Sequence, residues 1–347
     1  MIPGADASRS AAALDRALSF LSRAQLPSGQ FPMEFIAYDA PDPRTGLAVA
    51  RPANTPFSTA LLAHSLSFSS DPRAQPMIAR AVSFLESDRV RGDLWRYWSK
   101  DDRLHGQIPA DVDDTACVSA VLKHSGSTPL CNTKTLLGNR DARGLFYTWI
   151  IPRLTPHANI QWLNIVLGDV TAGRMFAFWN GGAARGDVDS VVNANVLAYL
   201  GETRETEPVV DWLLEIARTG QERQSDKWYS SVAAFYYAVS KCHARGIMRL
   251  GSAMAFFDRA LEGMVHADGR IGADVIQTAI ALCARLNFRM SMDEYAASIR
   301  FILDEQADDG SWDSCPIYFD GRDQPRITHG SRVATTGFCV EVLSRLA

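Results

Sequence analysis

Residues 111–116 of this 347-residue chain read Asp-Val-Asp-Asp-Thr-Ala. Three carboxylates fall within four positions, just where the apolar stretch Ala116 to Leu122 begins. Charge beside a buried segment is costly unless it is paired, hydrogen-bonded or held protonated. A buried aspartic acid kept neutral can give up a proton, which is what protonation of an unactivated carbon–carbon double bond needs. Asp111 stands where a helix N-cap belongs. Asp114, three residues on, can complete a capping box or answer the helix dipole. Capping accounts for those two and not for Asp113. Two neighbouring carboxylates raise the cost of ionising Asp113, while the helix N-terminus and any donors ease proton loss. Asp113 is therefore the candidate general acid, with Asp111 and Asp114 as its supports.

Six segments have the character needed to hold such a triplet: Pro56 to Leu66, Asp111 to His124, Asp187 to Leu200, Trp228 to Cys242, Asp274 to Leu286 and Gly330 to Leu346. Each opens on a turn or cap and continues with small and aliphatic residues at helical spacing. Asp-Val-Asp-Asp-Thr-Ala at 111–116 matches Asp-Val-Ile-Gln-Thr-Ala at 274–279, and Asp-Val-Asp-Ser-Val-Val at 187–192 reads as a weaker third copy. Amphipathic partners precede most of them: Ala11 to Arg23, Met77 to Glu86, Glu207 to Arg218, Ala253 to Leu261 and Glu294 to Leu303. The third partner is placed between Asp141 and Leu154. Almost no strand is expected, because alternating runs bounded by hairpin dipeptides are absent. Six pairs of amphipathic outer and small-residue inner helices predict one all-α domain over 1–347, an (α/α)6 toroid. An open solenoid would show more regular repeat lengths.

A second repeat ends two outer helices. Gln25-Leu-Pro-Ser-Gly29-Gln-Phe31 and Gln306-Ala-Asp-Asp-Gly310-Ser-Trp312 share glutamine, glycine and an aromatic at the same offsets. Glycine permits the turn, and the aromatic can pack beneath it.

Composition excludes several classes. A net charge of −4 gives no basic footprint for nucleic acid. No apolar run is long enough to span a bilayer, and the first residues lack an apolar signal core, so a cytoplasmic protein is expected. The six cysteines are scattered and read as reduced core thiols.

On these residues the chain resembles the class II terpene cyclase and protein prenyltransferase toroid family, squalene–hopene cyclase-like, as a single toroid. Residues 111–116 look like that family's Asp-x-Asp-Asp-Thr-Ala acid motif. The two Gln-x-x-x-Gly-x-aromatic repeats look like its glutamine–tryptophan repeats, with Phe31 in place of the usual Trp. The resemblance implies that Asp113 donates the proton while Asp111 and Asp114 hold and tune it. It implies a linear isoprenoid substrate, either a polyprene or a prenyl diphosphate, whose alkene or epoxide is protonated first. Protonation needs no cofactor, and Mg²⁺ enters only with a diphosphate. Typical class II cyclases react their substrate between two toroids. A lone toroid must close its cavity with its own loops, a homodimer or a partner domain.

Candidate substrate-binding residues lie near inner-helix starts. Asp189 and Asn193 are four apart on the third inner helix, with Asn195 nearby. Polar groups on such a small-residue helix either face the cavity and hydrogen-bond the acid or a diphosphate, or make a contact between neighbouring helices. Aromatics crowd the expected rim (Trp95, Tyr97, Trp98, Phe176, Phe178, Trp179, Trp228, Tyr229, Phe235 and Tyr236). Trp179, Trp228 and Tyr229 stand out because they flank inner-helix starts and an aromatic face stabilises a cation. Arg332 is a candidate for a diphosphate, as are Arg185, Lys227 and Arg326. Asp313, Cys315 and His329 are zinc-ligand types, but the histidine follows too soon for the prenyltransferase pattern, and no metal site is expected. Two rival readings stay open. One is an (α/α)6 enzyme on another substrate such as a carbohydrate, pairing Asp113 with Asp189 or Asp274. The other is a non-catalytic toroid that binds an isoprenoid or a partner protein.

Overall fold

The computed structural model describes residues 4–38, 48–175, 187–319 and 327–347. Its helices are α1 (Gly4–Ala24), α2 (Pro56–Leu66), α3 (Ala74–Ser87), α4 (Val112–His124), α5 (Thr133–Gly138), α6 (Ile160–Thr171), α7 (Ser190–Leu200), α8 (Glu207–Thr219), α9 (Glu222–Ser225), α10 (Val232–Ala244), α11 (Met254–Glu262), α12 (Val275–Asn287), α13 (Ala296–Asp304) and α14 (Arg332–Leu346). Helix α2 packs on α4, α4 on α7, α7 on α10, α10 on α12, α12 on α14, and α14 returns to α2. These six form the closed inner ring. Around them α1 packs on α14, α3 on α2 and α4, α8 on α7, and α13 on α12. This is the expected (α/α)6 toroid.

Residue type explains the two layers. In α7 every residue from Ser190 to Tyr199 is buried, as befits a helix enclosed by neighbours. Helix α8 buries only Val209, Val210, Leu213, Ile216 and Ala217, then stops at Gly220, whose φ of +68° is left-handed. Every inner helix starts on a side-chain cap: Thr55, Asp111, Asp189, Ser231, Asp274 and Ser331 each accept a backbone N–H from the first turn.

Two sequence expectations are corrected. The third inner helix is capped by Asp189, not Asp187, so the copy of the 111–116 pattern begins two residues later than expected. The third outer helix is α6, outside the 141–154 stretch, which instead runs as loop with isolated bridges. Asp141 turns the chain there by accepting from the Arg143 and Leu145 amides. Helix α6 shows no one-sided stripe in the sequence because it is apolar on both sides. Trp162, Ile165 and Val166 face inward, while Ile160, Leu163, Leu167 and Val170 are exposed.

The two glutamine turns are equivalent in space. Gln25 Nε2 donates to Gly29 O (2.8 Å) and to Met77 O of α3 (2.9 Å). Gln306 Nε2 donates to Gly310 O (3.0 Å) and to Ala13 O of α1 (2.9 Å). Each staple thus ties one outer helix to the next. The aromatic residues then anchor inner helices, Phe31 N to Thr59 Oγ1 (3.0 Å) and Trp312 N to Thr336 Oγ1 (3.2 Å).

A small antiparallel sheet sits over the starts of the inner helices. Its strands are β1 (Met33–Ala37), β2 (Ala50–Ala53), β3 (Tyr318–Phe319) and β4 (Ile327–Gly330), in the order β2-β1-β4-β3. It joins the two ends of the chain and carries Phe35, Tyr318 and His329 toward the acid triplet. Among the described residues no helix is long and apolar enough to cross a membrane. None of the six cysteines is in a disulfide; five are buried and Cys131 is exposed.

Candidate active site

The site grows from the first turn of α4. Asp111 caps it, and its Oδ1 accepts from the Asp114 amide at 2.8 Å. Thr115 Oγ1 accepts from Trp95 N at 3.1 Å, which fixes the incoming loop to the helix. Asp113, 8% exposed, projects between α7 and the segment before α10. Its Oδ1 accepts from Asn195 Nδ2 of α7 at 2.7 Å. Its Oδ2 lies 2.6 Å from the Tyr229 hydroxyl. Cys117 Sγ, one turn along, is 4.0 Å from Oδ1. Among the described residues no lysine or arginine pairs directly with Asp113. Lys241 Nζ instead donates to Asn195 Oδ1 at 2.7 Å, so this cation reaches Asp113 through an amide.

Burial is the leading influence on all three carboxyls and pushes each upward. Asp111 rises to about 8, with the Asp113 charge adding to burial. Asp113 rises too, with the Tyr229 and Asn195 hydrogen bonds and the Lys241 charge pulling back. Asp114 lies well above the usual carboxylate range, raised further by Asp111 and Asp113. Its Oδ2 is buried with no hydrogen-bond partner among the described residues. Enclosure therefore favours the protonated form of each of the three carboxyls.

An aromatic wall stands beside the triplet. The Tyr97 hydroxyl is 2.9 Å from Tyr318 Oη and 2.7 Å from His329 Nδ1. His329 stacks on Tyr318 with centroids 4.9 Å apart, and Phe57 and Tyr229 meet Tyr318 edge-on. Burial pushes His329 down to about 3, so its imidazole is neutral. Next to Asp113, its contacts Cys117 and Asn195 line a narrow slot with a cavity volume of only about 20 Å³. Ala60, Leu61, Ala120, Val121 and Ala198 make its apolar walls, and His64, Lys241 and Arg245 its polar end.

The other residues singled out from sequence have different surroundings. Asp189 is fully buried and holds three backbone amides, those of Val191, Val192 and Lys227. Asn193 exchanges hydrogen bonds with both main-chain groups of Phe146 and donates to Asp189 O. Asp274 caps α12 through the Gln277 amide (3.0 Å). Trp228 Nε1 donates to Asp187 Oδ2 at 3.1 Å, beside the Lys227–Asp187 ion pair of 2.6 Å. Arg332 is half exposed and pairs with Asp309 at 3.0 Å, in the turn after α13. Of the substrate-binding candidates among the described residues, only Tyr229 is hydrogen-bonded to Asp113. Trp179 lies outside the described residues, as do Phe176, Phe178, Arg185 and Arg326. Trp95, Phe235 and Tyr236 are core residues. Asp313 is exposed, and among the described residues no three His, Cys, Asp or Glu side chains converge as metal ligands would.

Asn195, expected near the cavity, does hydrogen-bond the acid, and Tyr97 of the rim aromatics joins the wall beside it. Lys241 and Tyr318 are site residues that carried no role in the sequence reading. The signal that picked out Asn195, a polar group on a helix of small buried residues, was available for Lys241 too.

No protein-family profile matches the chain, and no curated protein sequence matches it. Solved structures do. A protein from Actinoplanes superposes with a TM-score of 0.70 at 18% identity, covering 97% of this chain and 100% of that one. The type II terpene cyclase MstE from Scytonema superposes with a TM-score of 0.66 at 16% identity, covering 97% and 98%. An ent-copalyl diphosphate synthase from Streptomyces platensis gives 0.56 at 20% identity, over 87% of this chain and 52% of that one. These likenesses show a shared fold, that of type II terpene cyclases.

Proposed function

We propose that the protein is a class II-type terpene cyclase in which Asp113 starts the reaction by protonating a linear isoprenoid. The observation that carries this reading is the state of Asp113: enclosed, without a direct cation among the described residues, and pushed toward its neutral form, with Asn195 and Tyr229 hydrogen-bonded to its oxygens. In the first step the Asp113 O–H bond breaks, and the alkene π pair forms a new C–H bond. An aspartate and a tertiary carbocation result. Ring closure follows as further double bonds attack the cation, and loss of a proton or capture of water ends the sequence. Asp111 and Asp114, pushed upward by burial, stay protonated beside it, and Asp111 caps the turn that holds Asp113 in place. The faces of Tyr229, Tyr318 and Phe57 can stabilise the passing cation.

The shared fold supports this reading. MstE variants are described in complex with geranylgeranyl dihydroxybenzoate as substrate and with merosterolic acid A as product. A prenylated substrate of that kind, a prenyl diphosphate and a plain polyprene are the candidates here. Mg²⁺ would serve only as counter-ion to a diphosphate head. Closure of the cavity by a second copy or a partner domain belongs to the same proposal. Incubation with C10 to C30 isoprenoids in D₂O tests it. A cyclic product carrying one deuteron at the protonated terminus is expected. A cyclic product without solvent deuterium would rule out protonation as the first step.

A further inference from the structure

A lysine ammonium offers only donors, and a carboxamide offers one accepting and one donating end. Lys241 Nζ sits 2.7 Å from Asn195 Oδ1, and Asn195 Nδ2 sits 2.7 Å from Asp113 Oδ1. Lysine therefore dictates which way the amide faces. With the carbonyl held toward Lys241, the NH₂ must point at Asp113. Oδ1 of Asp113 is then a committed acceptor, and the oxygen of a carboxylic O–H accepts poorly. The proton of neutral Asp113 belongs on Oδ2. The partner there is the Tyr229 hydroxyl, which can accept as readily as it donates. One oxygen is fixed by a one-way partner, the other faces a reversible one.

We infer that Lys241 is a positioning residue that, through Asn195, assigns the acidic proton of Asp113 to Oδ2 and helps the aspartate form once that proton has left. This deepens the proposed function and rests on it for its catalytic meaning, although the placement of the proton does not. Lys241 is buried on the inner face of α10, with its ammonium 5.5 Å from the Tyr237 ring centroid. Charged and titratable groups around Asp113 come from several elements: Asp111, Asp114 and Cys117 on or beside α4, Tyr229 before α10, Lys241 on α10, and Tyr318 on β3. Of these only Lys241 is a cation. The next one, Arg245, lies one turn further along the slot.

The test is a carbon-13 NMR titration of aspartate carboxyls in the substrate-free protein, the Asp113 signal being the one missing from Asp113→Asn. In Lys241→Met the Asp113 midpoint should rise by about one pH unit or more. Lys241→Arg, again a cation with donors only, should return it to the wild-type value. Where cyclase turnover is measured, Lys241→Met should lower kcat roughly tenfold with KM little changed, and Arg should restore it. Should the Met variant not fold, Lys241→Gln gives the same comparison with the cation removed. An Asp113 midpoint that is the same with Lys, Met or Gln at 241 overturns the inference. So does a folded Arg variant that titrates like Met. Loss of the cyclase reading alone would leave the titration result standing.

Discussion

Tyr229 places its hydroxyl 2.6 Å from Asp113 Oδ2, although 116 positions separate the two residues. The contact depends on the toroid: α4 and α10 both border α7, and Tyr229 enters just before α10 begins. This hydrogen bond draws the Asp113 carboxyl down against the upward push of burial. Tyr229→Phe removes that pull. The turnover of an acid-dependent reaction falls as pH rises through the acid's pKa, so the alkaline limb should move to higher pH, by about one unit. A pH–rate profile with the limb unmoved would count against Tyr229 as the partner of the acid.

Asp111 links the site to stability. Its carboxyl is pushed up to about 8 in the folded chain, whereas an unfolded aspartate titrates near pH 3.9. The folded state therefore keeps a proton that the unfolded state releases. This group's contribution is full below about pH 4 and is lost as pH rises toward 8, by up to about 1.4 kcal/mol per unit. Asp111→Asn keeps a good N-cap and removes the titration. Calorimetry should find the variant's Tm above the wild type's at pH 8 and close to it at pH 4. Parallel Tm curves across that range would refute the assignment.

Thr115 is the structural member of the motif. Its Oγ1 takes the Trp95 amide, just as Thr59 takes Phe31 and Thr278 takes Ile271 at 2.9 Å. Thr115→Val leaves a buried N–H without an acceptor and should cost about 1–3 kcal/mol in urea unfolding. A variant as stable as the wild type would show that the anchor is dispensable.

Glycine at 310 is required on two counts. Its φ is +91°, and a Cβ there would meet the backbone carbonyl of Arg16. Gly126 has φ of +73° but open space around it. Gly310→Ala should therefore destabilise by roughly 2–4 kcal/mol and Gly126→Ala by about 1. Equal losses in the two variants would mean that packing of the glutamine turn on α1 contributes nothing.

Much of this was legible in the residues. The helix pairs announce themselves through composition: small apolar residues that cannot face water, then one-sided stripes that can. The acid triplet and the glutamine turns are local patterns, so they survive in a linear reading. The sheet is not local. Its strands run two to five residues, and β1 pairs with β4 from the far end of the chain, so neither period nor turn chemistry betrays it. Asn193 misled for a related reason. With the third copy aligned at Asp187, its position looked like cavity lining. Aligned at Asp189, it stands four residues after the cap, where Thr115 and Thr278 stand, and like them it anchors an incoming loop through Phe146. Lys241 was hidden because a polar residue on an inner helix shows its purpose only when the facing helix is known.

The central claim is that Asp113 delivers the first proton. Asp113→Asn preserves size and can still meet Tyr229 and Asn195, yet it has no carboxyl proton to give. Wild-type protein and this variant, matched in Tm, are to be incubated with the same panel of linear isoprenoids and their products separated by mass spectrometry. The wild type should form a cyclic product, and the variant should form it at least about 10²-fold more slowly. Cyclisation by the variant at the wild-type rate would contradict the claim.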